Sequence, residues 1–341
     1  MSDILADLFL FSGKTVVLVM AIGALALFFA ALSLKQRVSR QNIEVECLND
    51  KWMGYENILG SLTAAAPSQK KVEAKKRKAK LKAQKKDPTD RPRVYVLEFK
   101  GDLRASGLQH LREEVTATIS VARPGRDEVV VLLESPGGMV HAYGLAAAQL
   151  ARFREAGLKL TVCVDKIAAS GGYMMAATAD HIVAAPFAVL GSIGVLAQIP
   201  NLHRLLKKHD VDYEEITAGE YKRTISILGE ITPQGRKKFG EQIEDTHSLF
   251  KSFVQTYRPQ VDLEKVATGE HWFGQRAIDL RLVDELKTSD EFLFSLRDSK
   301  RIYRLSIEAK KKLAEKLSEI VALSAQKLID LGFRTGADPR F

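Results

Sequence analysis

Ser170 stands in the run Ala168-Ala169-Ser170-Gly171-Gly172-Tyr173, a hydroxyl framed by small residues where a helix should begin. Small neighbours leave room for a bound molecule, and the positive end of a helix favours an alkoxide or oxyanion. The ordinary alternative is that Ser170 is an N-cap before MMAATA, and on this segment alone capping is the simpler account. A second segment, Ser135-Pro136-Gly137-Gly138, directly follows an apolar run. Two adjacent glycines can adopt positive φ and bring backbone N–H groups close to a ligand. Such groups can hold the oxyanion of an acyl-transfer intermediate, although a Pro-Gly turn between strand and helix is common in itself. The third segment is Gly219-Glu220-Tyr221-Lys222-Arg223. A lysine there is by default a solvated charge. To act as a base it must be neutral, so burial or a nearby cation must bring its pKa down from ~10.4.

Other chemistries find less support. His141 lies three residues past the glycine turn and His181 follows Asp180, but neither sits in a motif. HExxH, paired Cys/His spacing, GxGxxG and the P-loop are absent. GxSxG is absent too, because Ala168 and Gly172 flank Ser170 by two. Cys47 and Cys163, the two cysteines, are too few for a disulfide framework or a thiolate metal site. No metal or cofactor is expected.

The elements that must carry these segments follow an alternating pattern. VYVLEF (94–99) predicts a strand, 104–120 a helix, and EVVVLLE (128–134) a buried strand of the parallel type. A helix over 139–156, LKLTVCV (158–164), a small-residue segment over 167–178 and HIVAA (181–185) come next. A helix at 200–209, a strand at VDYEEIT (211–217) and a long helix over 234–258 complete the body. Strands separated by helices make βαβ units, hence an α/β fold with right-handed crossovers. The apolar stretch 182–200 holds Pro186, Gly191, Gly194 and Pro200 and reads as core.

Three further features lie outside that body. Thr15 to Leu34 is twenty residues without a charge, long enough to span the ~30 Å hydrocarbon core as a helix. Lys35, Arg37 and Arg40 follow it, and positive-inside reasoning leans toward a cytoplasmic catalytic side. Residues 35–90 read as a polar, lysine-rich tether after the N-terminal segment 1–34, with a helix over 41–60. Within it, residues 69–86 carry ten Lys/Arg and one Glu, a surplus equal to the net charge of +9 of the whole chain. A neutral body with one basic arm is not a basic nucleic-acid-binding face, whereas a basic arm beside a membrane helix suits anionic lipid. From Leu305 to Leu331 the spacing of Leu313, Leu317, Ile320, Leu328 and Leu331 predicts an amphipathic helix suited to packing or assembly, so the body is bounded at 91–300 and the tail at 301–341.

Together AASGGYMMAATAD, SPGG after a strand, LGSIGV (190–195) and GEYKR resemble the signal peptide peptidase A family of serine proteases, in its SohB-type branch, over roughly residues 90–290. The resemblance implies a caseinolytic-protease/crotonase-like spiral within the α/β class. It implies Ser170 as nucleophile, Lys222 as general base 52 residues later, and Ser192 of GSIG as the hydroxyl that orients the lysine amine. Gly137 and Gly138 match the oxyanion-hole turn, with the Gly171 N–H as a further donor. It implies peptide or unfolded protein substrates near a bacterial inner membrane, no cofactor, and homo-oligomers in which the lysine can reach a neighbouring subunit's serine. Two other readings share some of these features: a crotonase-like acyl-CoA enzyme using the same glycine turn, and a non-catalytic membrane scaffold.

Overall fold

The computed structural model describes residues 43–63 and 91–307. The membrane helix expected at 15–34, the lysine run at 69–86 and the helix expected through Leu331 lie outside the described residues. Among the described residues no helix is long and apolar enough to cross a membrane. Val45–Ser306 forms one compact unit.

The chain enters through β1 (Ile43–Cys47) and α1 (Leu48–Thr63). It then alternates as β2 (Arg93–Lys100), α2 (Leu108–Val121), β3 (Glu128–Glu134), α3 (Val140–Glu155) and β4 (Lys159–Val164). Two short connections follow: β5 (Ile167–Ala169) into α4 (Gly171–Ala177), and β6 (His181–Ala184) into β7 (Val189–Gly191). Next come α5 (His203–Lys208), α6 (Pro233–Tyr257), α7 (Leu263–Val266), β8 (His271–Phe273) and α8 (Gly274–Ala277). The last elements are β9 (Glu285–Leu286), α9 (Ser289–Ser295) and β10 (Arg301–Ile307).

This is a mixed α/β fold. A seven-stranded sheet runs β1-β10-β2-β3-β4-β6-β9, and a three-stranded sheet runs β5-β7-β8. In the large sheet β10, β2, β3, β4, β6 and β9 pair in parallel. Its central strands are apolar almost without interruption because both faces are covered. Leu97, Phe99, Val129, Val131, Leu133 and Val162 face the main core with α2, α3 and α4. Val94, Val96, Val130, Cys163 and Val183 face a second core with Leu48, Leu293 and Ile302. Helix α6 starts with Pro233 in its first turn, and the Thr232 hydroxyl accepts from the Gly235 N–H at 3.0 Å, a capped start for a long helix.

The structure departs from the sequence reading in four places. The apolar stretch 182–200, read as core, is buried only in part: Phe187 is exposed and residues 196–200 are exposed on irregular chain, because the strands β6 and β7 that carry it inward end at Ala184 and Gly191. VDYEEIT is not a strand: Val211, Tyr213 and Ile216 are exposed on irregular chain, so its alternating pattern has no partner edge to pair with. Leu305 belongs to β10 rather than to a helix. RIYRLSI is rich in β-formers, Arg301 to Arg304 pair in register with Arg93 to Val96, and Ile302 and Leu305 are buried. The sheet therefore continues past residue 300. Finally, 43–63 lies in the stretch read as tether: the helix expected over 41–60 is there as α1, but it is preceded by the strand β1 and packs on the body. Leu48 and Trp52 join the second core, and Asn49 Nδ2 donates to the Arg297 and Lys300 carbonyls at 2.8 and 3.0 Å. Its Oδ1 accepts from the Ile302 N–H at 2.8 Å.

Candidate active site

Strand β5 stops at Ala169 because Ser170 turns sharply, with φ +52° and ψ −120°, and α4 begins at once with Gly171. That backbone region is rare for any residue but glycine and costs on the order of 1–3 kcal/mol. Bonds on both sides hold it: the Ser170 N–H donates to the Gly191 carbonyl at 2.8 Å, and the Ser170 carbonyl accepts from Met174 at 2.9 Å. Ser170 occupies the N-cap position, yet its side chain makes no capping hydrogen bond. The capping account of this serine therefore fails, and a half-buried hydroxyl is left presented at a strained strand-to-helix turn.

The SPGG turn packs directly on this serine. The Ser135 N–H donates to Ile167 O at 2.8 Å and its carbonyl accepts from Ala169 N at 3.0 Å, which lays the turn beside β5. Gly137 has φ +87°. A Cβ on it would stand 2.7 Å from both the Ala169 carbonyl oxygen and the Gly171 nitrogen, and 2.8 Å from Ser170 Cβ, so only glycine fits. The Gly137 N–H donates to Ser135 Oγ at 3.2 Å, which makes the part of Gly137 conformational. Among the described residues the N–H groups of Gly138 and Gly171 have no acceptor; Gly171 directly follows Ser170, and Gly138 directly follows the Gly137 that packs on the Ser170 Cβ. Gly171 is also fixed by packing, since a Cβ there would overlap the Tyr143 ring.

Ser192 follows β7 as Ser170 follows β5. It has φ +52° after Gly191 at +97°, and its N–H donates to the Glu270 carbonyl at 2.6 Å. Lys222 is placed differently. It is exposed on the irregular stretch 211–232, where its own N–H reaches back to the Gly219 carbonyl at 3.1 Å. Its neighbours are engaged: Arg223 Nε pairs with Glu215 at 2.9 Å, Glu220 accepts from Gln234 at 3.1 Å, and the Lys238 ammonium lies 5.1 Å over the Tyr221 ring. Among the described residues the Lys222 ammonium has no ion pair and bonds neither Ser170 nor Ser192. Within one chain the fold thus gathers Ser170, Gly137, Gly138, Gly171 and Ser192, and leaves Lys222 in solvent.

The other candidates sit elsewhere. His141 is exposed, and His181 Nε2 lies 3.0 Å from Glu285 on the neighbouring strand β9. Burial pushes the Cys163 thiol well above its ordinary range, which makes it a poor nucleophile. Two residues of this site escaped the sequence reading, Ser135 and Tyr143. Both are fully buried, and Ser135 Oγ lies 2.7 Å from Tyr143 Oη. Ser135 opens the quoted motif, but nothing in the sequence signals that Tyr143, eight residues on, turns back to it.

The model of peptidase family S49 matches residues 152–302, and that of the peptidase family S49 N-terminal region matches residues 3–150. The chain is 56% identical over 236 residues to the probable protease SohB of Haemophilus influenzae, covering 69% of this chain and 67% of that protein. It is 50% identical over 232 residues to the probable protease SohB of Buchnera aphidicola, covering 68% of this chain and 69% of that protein. Among solved structures, a mutant 1510-N membrane-bound stomatin-specific protease in complex with a substrate peptide superimposes with a TM-score of 0.39 at 15% identity, over 67% of this chain and 99% of that one, a likeness too slight to carry any argument.

Proposed function

This chain belongs to peptidase family S49, as a SohB-type protease, and we propose that it is a membrane-anchored serine endopeptidase working through a Ser170/Lys222 dyad. The carrying observation is Ser170 itself: a hydroxyl on a strained strand-to-helix turn, capping nothing, with the glycine turn packed against its Cβ. Lys222, neutral, takes the proton from Ser170 Oγ as that oxygen attacks a peptide carbonyl. The N–H groups of Gly138 and Gly171 hold the oxyanion. Lys222, now charged, protonates the leaving amine, and water then cleaves the acyl-enzyme with the same lysine as base. Ser192 orients the lysine amine. The α/β body is read as the spiral type shared by caseinolytic proteases and crotonases.

In this reading Lys222 reaches Ser170 of an adjacent copy in a homo-oligomer. Two observations support that. Lys222 is exposed within its own chain and makes no hydrogen bond to Ser170 there. The chain on either side of it in sequence exposes apolar side chains: Leu196, Leu205, Val211, Ile216 and Ile227 are all at least half exposed, with Ile216 at 95%. Exposed apolar patches of this kind mark interfaces. The charge-free run at 15–34 supplies the single membrane span, and substrates are peptides or unfolded segments near that membrane. The test is fluorophosphonate labelling of detergent-extracted protein with mass-spectrometric mapping. Modification at Ser170 is expected; a protein that is labelled at another residue, or at none, overturns the reading.

A further inference from the structure

We propose that Tyr143 is a positioning residue of the oxyanion site, setting the SPGG turn through its hydroxyl and Gly171 through its ring; this rests on Ser170 being the nucleophile. Tyr143 stands on α3, fully buried, one helical turn after the glycines. Its Oη donates to the Asp102 carbonyl at 2.7 Å. A phenol has one proton, so in the 2.7 Å contact with Ser135 the serine hydroxyl is the donor and Tyr143 Oη the acceptor. Ser135 Oγ in turn accepts from the Gly137 N–H at 3.2 Å. The result is one directed chain, from Gly137 N–H to Ser135 Oγ to Tyr143 Oη to the Asp102 carbonyl, in which every proton has a single destination.

The chain is sealed. A Cβ on Gly101 would overlap both Ser135 Oγ and Tyr143 Oη, so that backbone closes over the pair. The far end is tied as well: the Asp102 loop accepts from Met139 N through the Leu103 carbonyl at 2.9 Å, just after Gly138. On its other side the Tyr143 ring lies where a Gly171 Cβ would be. One side chain therefore braces the backbone on both sides of the Ser170 hydroxyl. Oriented donors of this kind lose effect steeply with displacement: an error of ~1 Å can cost ~100-fold in rate.

The test compares Tyr143→Phe, Ser135→Ala and the double variant in the full-length protein, by peptide kcat and KM and by the rate constant for fluorophosphonate modification of Ser170. Each single variant should lower kcat per reactive site by roughly 10- to 100-fold with KM changed by less than about threefold. The double variant should be no worse than the weaker single, since both break one chain. Tyr143→Phe keeps the ring; should it fail to fold, Ser135→Ala decides. Wild-type kcat per reactive site in the folded variants, or losses that multiply in the double, overturns the proposal while leaving the nucleophile in place. An unreactive Ser170 in the wild-type protein overturns the peptidase reading and the role of Tyr143 with it.

Discussion

Ser170 and Ser192 stand side by side at the ends of paired parallel strands. Ala169 pairs with Gly191 in the β5–β7 register, each serine comes next in its chain, and each has φ +52°. Two neighbouring non-glycine residues with the same positive φ are not explained by local preference. The surrounding hydrogen bonds impose them: Ser170 N on Gly191 O at 2.8 Å and Ser192 N on Glu270 O at 2.6 Å. Strain of this sort persists where the geometry it produces is used.

The strain at Ser170 can be measured. Replacing Ser170 with glycine keeps the turn and removes the Cβ that makes it costly, so Ser170→Gly should be more stable than Ser170→Ala by about 1–2 kcal/mol in chemical denaturation. The usual order within a helix or strand is the reverse. Both variants should be inactive with peptide. An alanine variant as stable as the glycine variant would show that the backbone there is relaxed, and cleavage by either would remove Ser170 from the chemistry.

Lys222 as a base makes a different demand. Lys222→Arg keeps the charge, but guanidinium does not give up its proton. It should fall as far as Lys222→Ala, by about 1000-fold or more. In the intact protein kcat/KM should rise with pH as the amine loses its proton, because only the neutral form accepts one from Ser170. A rate that is flat in pH, or an arginine variant near wild type, assigns the proton transfer elsewhere.

How far the sequence carried these assignments depended on whether the signal was local. Val129 to Leu133 announces a doubly covered strand by composition, and Ser170 with its glycines is a contiguous motif. VDYEEIT carries an alternating pattern, but a strand also needs a free edge, and pairing is not written locally. The spacing from Leu313 onward predicts a helix reaching back to Leu305, yet Leu305 lies in strand β10, where it and Ile302 are buried. Neither Tyr143 nor Asn49 sits in a motif, because each acts on residues brought near by the fold: Asn49 grips the chain at 297–302, about 250 positions away in sequence.

The fold also contains a salt bridge whose loss should be visible in acid. Arg258, with its side chain 2% exposed, holds both Asp284 oxygens at 2.8 Å and donates to the Arg281 carbonyl at 2.9 Å. Burial acts to raise the Asp284 pKa, but the Arg258 hydrogen bonds and the Ile182 N–H outweigh it and hold the carboxyl below its ordinary range. A carboxyl with a depressed folded pKa contributes stability above the ordinary value of ~3.9 and loses it as pH falls through the lower, folded value. Asp284→Asn should therefore flatten the decline in stability below about pH 4. Arg258→Ala should cost about 3–5 kcal/mol at neutral pH, since it strands a partly buried charge. An unchanged acid limb in Asp284→Asn would mean other carboxylates set it.

If the apolar run at 15–34 is the membrane anchor, deletion should separate its effect from that of the body. Removing residues 1–40 takes away the apolar run and spares β1 and α1. That form should remain folded and stay in solution without detergent. Extending the deletion through residue 63 also removes Leu48 from the second core and the three hydrogen bonds from Asn49 to residues 297–302. It should lose roughly 3–6 kcal/mol by those contributions. Sedimentation after a salt wash and thermal unfolding read the two effects. Membrane retention of the shorter deletion would mean that the body has its own apolar contact with lipid.

The assembly prediction turns on where Lys222 goes. In its own chain the ammonium is in water, on a stretch held by Arg223–Glu215, by Asn201 Nδ2 on the Ser226 and Gly229 carbonyls at 2.9 and 3.0 Å, and by the Leu202 N–H on Ile227 O at 2.7 Å. These bonds give the stretch a defined shape before any partner arrives. Docking its apolar residues against another copy would exclude water around Lys222 and favour the neutral amine a base requires. If the dyad is shared between copies, Ser170→Ala and Lys222→Ala damage different sites of one interface. Mixed oligomers then contain interfaces with an intact serine from one chain and an intact lysine from the other. Co-assembling the two inactive variants after dissociation should restore peptide cleavage to roughly a quarter of wild type at equal mixing, as expected when each interface draws one chain at random from each side. Differential tags confirm that mixing has occurred. Mixed oligomers that stay inactive place serine and lysine of each site in the same chain, and the exposed apolar surface would then need a partner other than a second copy.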